Sequence, residues 1–526
     1  GIKDGFQTKD VILLHGITSS GKTELYIHLI RETLQQNRQV LYLLPEIALT
    51  GQIITRLKQI FGNEVGVYHS RFSDNERVEV YHQVNQRRCN LVLGVRSSIF
   101  LPFQDLGLII VDEEHENTFK QFDPAPRYHA RDTAVVMAKL HQAKVLLGTA
   151  TPSLESYFNA KTGKYGLVQL MTRYQDIQLP EIVVSNIREA RKKKRMRSFL
   201  GPELYEGIDQ ALKMNEQVIL FQNRRGFSPF LECATCGWIP RCNHCDVSLT
   251  YHKAGNKLVC HYCGFVITRV DSCQACGSTA METRGFGTEK IEDEIGIHFP
   301  NARIARMDLD SMRARNAHER LIGDFEQHKI DILVGTQMIT KGLDFANVSL
   351  VGILNADSLL NYPDFRAYER AFQLMSQVSG RAGRKKKRGR VVVQTTHPEH
   401  QVLHYVIEGD YEGMFRNQLA ERKQFHYPPY NRLIQITIKH KKEDMVNQAS
   451  RMLGDHLKSI FKFRILGPES PLIGRLQNWY LRNILIKIEK DKSVKDAKKL
   501  VLSEVNKLLN EKGLSGTQIN IDVDPQ

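Results

Sequence analysis

VILLHGITSSGKTELY, residues 11–26, decides how the rest of the chain is read. Val11-Ile12-Leu13-Leu14 is a short, fully apolar run of the kind buried in a parallel sheet. Gly16-Ile17-Thr18-Ser19-Ser20-Gly21-Lys22-Thr23 follows it and matches G-x-x-x-x-G-K-[ST]. Leu25, Ile27, Leu29, Ile30 and Leu34 then predict a helix. Strand, glycine loop and helix in that order predict backbone N–H groups wrapped around phosphates. Lys22 would reach the β- and γ-phosphates of ATP, and the Thr23 hydroxyl would ligate Mg²⁺.

A second strand pattern, Leu106–Val111, ends in Asp112-Glu113-Glu114-His115. Asp112 is the candidate Mg²⁺ ligand, and Glu113 the residue that orients the attacking water. A third, Val145-Leu146-Leu147, runs into Gly148-Thr149-Ala150-Thr151-Pro152-Ser153. Far downstream stands Gln377-Val378-Ser379-Gly380-Arg381-Ala382-Gly383-Arg384. Arg381 and Arg384 are three apart, so on a helix they share a face. Presented from a second lobe, they would stabilise charge on the γ-phosphate.

These four segments, in this order, resemble superfamily 2 helicases. Leu44–Thr50 and Gly94–Ser98 look like DNA-contacting segments of that family's first lobe, which nominates Arg96 and Ser97. Gly335–Phe345 looks like the segment that couples nucleotide to nucleic acid in the second lobe. The resemblance implies nucleotide contacts from Gly342 and Asp344 and DNA contacts from Thr340 and Lys341. Apolar runs at 11–14, 40–44, 91–95, 106–111 and 144–148 predict one parallel sheet. Those at 217–222, 303–307, 331–335, 348–354 and 390–395 predict a second.

The chain has 526 residues, too many for one core, and a net charge of +15, which suggests a polyanionic partner. No apolar run approaches the roughly 18–20 residues of a membrane span. No signal-peptide pattern opens the sequence. The chain starts on Gly and reaches the phosphate loop at once, so we read it as a fragment or processed product of a longer protein.

Eight of the nine cysteines form four Cys-x-x-Cys pairs: Cys233/Cys236, Cys242/Cys245, Cys260/Cys263 and Cys273/Cys276. Two pairs make one tetrahedral thiolate site, so four predict two structural Zn²⁺ ions. Disulfides and an iron–sulfur cluster are the rival readings. The spacers leave nested and sequential pairing both open. Cys89 reads as a buried thiol.

A Cys-rich insertion inside a second helicase lobe resembles the primosomal N′ (PriA) family of bacterial replication-restart helicases. Asn355-Ala356-Asp357, Pro363–Arg370, Arg303–Asp310 and Tyr427-Pro428-Pro429-Tyr430 resemble that family too. The likeness covers essentially the whole chain. It implies two RecA-like α/β lobes, the zinc insertion and a C-terminal α+β domain. It implies an ATP-dependent 3′→5′ DNA helicase that remodels abandoned or stalled forks and promotes reloading of the replicative helicase. Its implied partners are forked and single-stranded DNA, single-stranded DNA-binding protein, and primosome and helicase-loading proteins, in the cytoplasm. It also implies nested zinc pairing, Cys233, Cys236, Cys273 and Cys276 on one ion and Cys242, Cys245, Cys260 and Cys263 on the other. The family's N-terminal DNA-binding region and its adenine-reading segment have no counterpart in this sequence. A RecQ-type helicase and an ATP-gated DNA-binding module are the alternatives.

Residues 115–128 mix aromatics, prolines and cations with no helix or strand period. Phe119, Lys120, Phe122, Arg127 and Tyr128 are candidate DNA contacts, with rings to stack on bases and cations to meet phosphate. The loop resembles the aromatic-rich loop of the PriA and RecQ-type families. The basic runs 191–197 and 384–390 read equally as solvated loops or DNA contacts. The domain reading is lobe 1 at 1–165, a linker at 166–200, lobe 2 at 201–225 and 285–410, the insertion at 226–284, and a β-α-β-β-α-β C-terminal domain at 411–526.

Overall fold

A computed structural model describes residues 1–526 except 46–50, 70–71, 173–179, 224–229, 244–246, 253–254, 261–262, 285–287, 308–316, 341–344, 346, 384–387 and 512. The first lobe is a seven-stranded parallel sheet of β1 (Val11–Gly16), β2 (Gln39–Leu43), β3 (Val65–Tyr68), β4 (Leu91–Gly94), β5 (Leu106–Asp112), β6 (Lys144–Thr149) and β7 (Gly166–Leu170). Their spatial order is β3-β4-β2-β5-β6-β1-β7. Helices cover both faces, so β1, β2 and β4 are buried at every position. This two-sided burial is why they read as unbroken apolar runs. Because the strands are parallel, the phosphate loop, Asp112 and Thr149–Ser153 all leave the sheet at its C-terminal edge, where α/β sheets bind ligands.

The second lobe repeats the plan. β8 (Glu181–Asn186), β9 (Gln217–Phe221), β15 (Ile304–Met307), β16 (Ile332–Gly335), β17 (Val348–Ile353) and β18 (Arg390–Thr395) pair in the order β15-β16-β9-β17-β18-β8, all parallel. Between β9 and β15 the chain leaves to build the insertion. This is an antiparallel sheet of β10 (Phe230–Cys233), β11 (Thr250–His252), β12 (Lys257–Val259), β13 (Val266–Thr268) and β14 (Met281–Arg284). It has a small core of its own, built on Leu231, Val247, Leu249 and Leu258. The C-terminal sheet, β20-β22-β19-β23, comprises β19 (Asn431–His440), β20 (Ile465–Glu469), β22 (Trp479–Glu489) and β23 (Gln518–Val523), with β21 (Arg475–Leu476) paired to β22. Helices Glu443–Phe461 and Val494–Leu509 pack on its apolar face.

Two boundaries depart from the sequence reading. Parts of the segment read as a linker, 166–200, are built into the lobes as strands Gly166–Leu170 and Glu181–Asn186. β7 closes the edge of the first sheet against β1, and β8 closes the edge of the second against β18. Helix Tyr411–Gln424 belongs with the lobes, because Tyr411, Met414 and Phe415 enter the hydrophobic cluster that runs through both.

Where lobes and helix meet lies a buried ion cluster. Arg422 donates to Glu369 (2.5 Å) and Glu155 (3.2 Å), and Arg366 donates to Glu155 (3.1 Å). The side chains of Arg422, Glu369 and Arg366 are all at most 4% exposed. Burial alone would raise Glu155, but Arg366, Arg422 and Arg131 hold it down, to about 2. Removing one partner strands a buried charge, so Arg422→Ala is expected to cost about 3–5 kcal/mol in denaturant unfolding. A loss below about 1 kcal/mol would be surface-pair behaviour and would refute the cluster's weight. Because its folded value is depressed, Glu155 contributes fully above its ordinary 4.5, and the contribution is lost as pH falls toward 2.

Candidate functional site

The phosphate loop joins β1 to helix Lys22–Gln35, whose N-terminal amides and dipole favour an anion. The Lys22 ammonium donates to the carbonyls of Gly16 (2.6 Å) and Ile17 (3.3 Å), so it lies along the loop it is to serve. Ile17 and Thr18 also line a cavity of about 460 Å³ between the lobes, with His15, Gln377, Gly380 and Tyr411.

The four residues of the acidic motif take different roles. Asp112 accepts from the Tyr26 hydroxyl (2.9 Å), the Tyr42 hydroxyl (3.4 Å) and the Glu113 amide (3.1 Å). Burial, with Glu113 beside it, pushes Asp112 up to about 6, while Lys22 pulls it the other way. Such a buried carboxylate, facing another carboxylate and a lysine, suits a divalent cation. The Oε2 of Glu113 is buried and makes no hydrogen bond. Glu114 is wholly buried and structural: it accepts from Arg131 (3.0 Å), the Ser153 amide (2.7 Å) and the Ser156 hydroxyl (2.7 Å). His115 joins three motifs. Its Nδ1 lies 2.7 Å from Thr149 Oγ1 and its Nε2 lies 2.7 Å from the Gln377 amide nitrogen. An amide nitrogen only donates, so Nε2 accepts and Nδ1–H donates to Thr149.

The second lobe makes its own contacts with the loop. Gly380 lies so close that a Cβ there would sit 3.0 Å from Thr18 Oγ1. Arg381 follows directly. Arg384, Lys341, Gly342, Asp344 and the side chain of Thr340 lie outside the described residues, as do Glu46–Thr50. We expect Arg381→Ala to lower turnover by up to about three orders of magnitude at nearly unchanged nucleotide affinity. Parallel losses in both would mark Arg381 as structural.

The aromatic-rich loop differs most from expectation. Phe119 is 1% exposed and packs in the lobe core. Lys120 is equally buried: it pairs with Asp522 (2.6 Å) and donates to the Val523 carbonyl (2.8 Å) on the last strand of the C-terminal domain. Neither is presented to a nucleic acid here. Arg96 holds the base of the loop through the carbonyls of Thr118 (3.1 Å) and Lys120 (2.8 Å). Arg127 lies 3.7 Å from Asp123, and Tyr128 packs on Phe100. Phe122 and Ser97 are exposed.

The cysteines gather in two groups. Cys233, Cys236, Cys273 and Cys276 have their sulfurs within 4.8 Å of one another, as do Cys242, Cys260 and Cys263. Cys245 lies outside the described residues. A tetrahedral site with Zn–S near 2.3 Å has sulfur–sulfur edges of about 3.8 Å. The separations Cys233–Cys276 (3.7 Å), Cys236–Cys273 (3.3 Å) and Cys242–Cys263 (3.6 Å) fit those edges and are too long for disulfides. Gly237, Gly264 and Gly277, each directly after a second cysteine, have positive φ and turn the chain under the sulfurs. This Cys-x-x-Cys-Gly signal is present in the sequence and supports metal knuckles. Cys89 is buried, and burial pushes its thiol up to about 11.

Known families match the same segments. Residues 2–159 match the DEAD/DEAH box helicase family and 288–386 the helicase conserved C-terminal domain. Residues 242–267 match the PriA DNA helicase Cys-rich region (CRR) domain, and 423–526 the primosomal protein N C-terminal domain. The chain is 38% identical to the replication restart protein PriA of Rickettsia felis, over 98% of this chain and 78% of that protein. The chain belongs to the PriA family. It is 38% identical to the PriA of Haemophilus influenzae, covering 70% of it, and 40% identical to that of Bacillus subtilis, covering 64%. The chain thus spans less than two thirds of the Bacillus PriA. PriA membership accounts for the two lobes, the ATP-binding loop and the zinc-binding Cys clusters. Among the described residues no helix is long and apolar enough to cross a membrane.

Proposed function

We propose that the chain is the motor and C-terminal part of an ATP-dependent 3′→5′ DNA helicase. It acts at stalled or abandoned replication forks and promotes reloading of the replicative helicase. Single-stranded DNA-binding protein and the primosome and loading proteins are its proposed partners. Lys22 and the loop amides hold the phosphates of ATP. Asp112 and Thr23 would hold Mg²⁺, which neutralises charge on the β- and γ-oxygens when bound. Glu113 orients the water and takes its proton. Arg381 and Arg384 stabilise the charge that develops on the γ-phosphate.

The observation that carries this reading is the path Thr149–His115–Gln377, which links the acidic motif of one lobe to the arginine segment of the other. Lobe closure and hydrolysis then depend on each other. Steady-state ATP hydrolysis with and without single-stranded DNA, alongside fork unwinding, tests the proposal. DNA-stimulated hydrolysis with strand separation is expected. Hydrolysis indifferent to DNA, without unwinding, would mean an ATP-gated binding module instead. His115→Ala and Gln377→Ala should each weaken the DNA stimulation, and the double variant should lose little more, because both break one link. Full additivity would remove the link from the mechanism.

A further inference from the structure

Tyr26 stands four residues after Lys22, on the same face of the same helix. Its ring is fully buried, and its hydroxyl donates to Asp112 Oδ1 at 2.9 Å. Tyr42, from β2 beside β5, brings a second hydroxyl to Oδ2 at 3.4 Å. The two rings meet edge to face at 5.6 Å, so each fixes the other. The neighbouring strand makes room for this arrangement: a Cβ at Gly148 would sit 1.8 Å from the Tyr26 hydroxyl oxygen. A buried phenol therefore ties the carboxylate at the end of β5 to the helix that carries the phosphate lysine. A carboxylate has about four lone-pair sites; with the Glu113 amide these bonds occupy three, and one, on Oδ2, is left to coordinate a cation.

We propose that Tyr26 is a positioning residue that orients Asp112 toward the divalent cation and locks it in register with Lys22. This rests on the reading of Asp112 as a cation ligand. Mg²⁺ demands near-ideal octahedral geometry, so a carboxylate free to rotate binds it less well. Groups that orient a metal ligand typically carry about 10–100-fold in metal affinity. Tyr42, with the longer contact, contributes less.

The test is Tyr26→Phe, which keeps the ring and removes one oxygen, with Tyr42→Phe and Asp112→Asn beside it. Two quantities are measured: the Mg²⁺ concentration that half-saturates hydrolysis, and the tightening by Mg²⁺ of a fluorescent ATP analogue. Tyr26→Phe should raise the Mg²⁺ requirement by about tenfold or more and lose most of the tightening, while binding the analogue normally without Mg²⁺. Tyr42→Phe should shift both less. If Tyr26→Phe merely lowers thermal stability and its Mg²⁺ dependence stays wild-type, while Asp112→Asn loses that dependence, Tyr26 does not position Asp112. If Asp112→Asn also keeps wild-type Mg²⁺ dependence, Asp112 is not the cation ligand, and both readings fall.

Discussion

Glu113→Gln will bind ATP and fail to turn it over. The rate falls by about two to four orders of magnitude, the range of a lost general base. The neighbouring carboxylates show why. Asp112 is held by two tyrosine hydroxyls and an amide, and Glu114 is consumed by Arg131, Ser153 and Ser156. Glu113 alone keeps a buried oxygen without a hydrogen-bond partner. It also sits at φ 50, a strained backbone conformation often found at working residues. Lys22→Ala, by contrast, should lose nucleotide binding together with hydrolysis. Binding of a fluorescent ATP analogue and DNA-stimulated ATPase separate the two. Wild-type turnover in Glu113→Gln would give the water to another residue.

Stripping the metal from the Cys-rich insertion will unfold that insertion and spare the lobes. Structural zinc contributes about 10–16 kcal/mol per ion in zinc-finger peptides at neutral pH, far more than the few buried aliphatic residues of this small sheet supply. We expect two Zn²⁺ per chain, with Cys233→Ser and Cys260→Ser each losing one. The insertion touches the second lobe through His397 on the Gly237 carbonyl and Ser248 on the Asn361 carbonyl, and none of these contacts reaches the phosphate loop. Single-stranded-DNA-stimulated ATPase should therefore largely survive in both variants while fork unwinding falls. One ion by metal analysis, or iron, would overturn the ligand count. A well-folded cysteine variant without ATPase would overturn the division of labour.

Both lobes, and the positions of the phosphate loop and the acidic motif within them, are legible in the chain alone. A strand buried on both faces must be apolar throughout, so β1, β2, β4, β5 and β6 stood out without any partner in view. The phosphate loop and the acidic motif follow their strands directly, so local order places them. The thiol pairs were legible for a similar reason, since Cys-x-x-Cys suits one metal within a single turn. The remainder depends on long-range packing. β7 is partly exposed along its length and becomes a strand only by pairing with β1, so its local pattern alone reads as linker. His115 and Tyr26 gain their roles from Gln377 and Asp112, which lie 262 and 86 residues away. On local pattern Lys120 reads as a phosphate contact, because a lysine among aromatics normally faces water. Its actual partner, Asp522, arrives from the far end of the chain and covers it. Local pattern records which face of an element is apolar. Which charges become buried against one another depends on contacts between distant segments, and these exist only once the chain has packed.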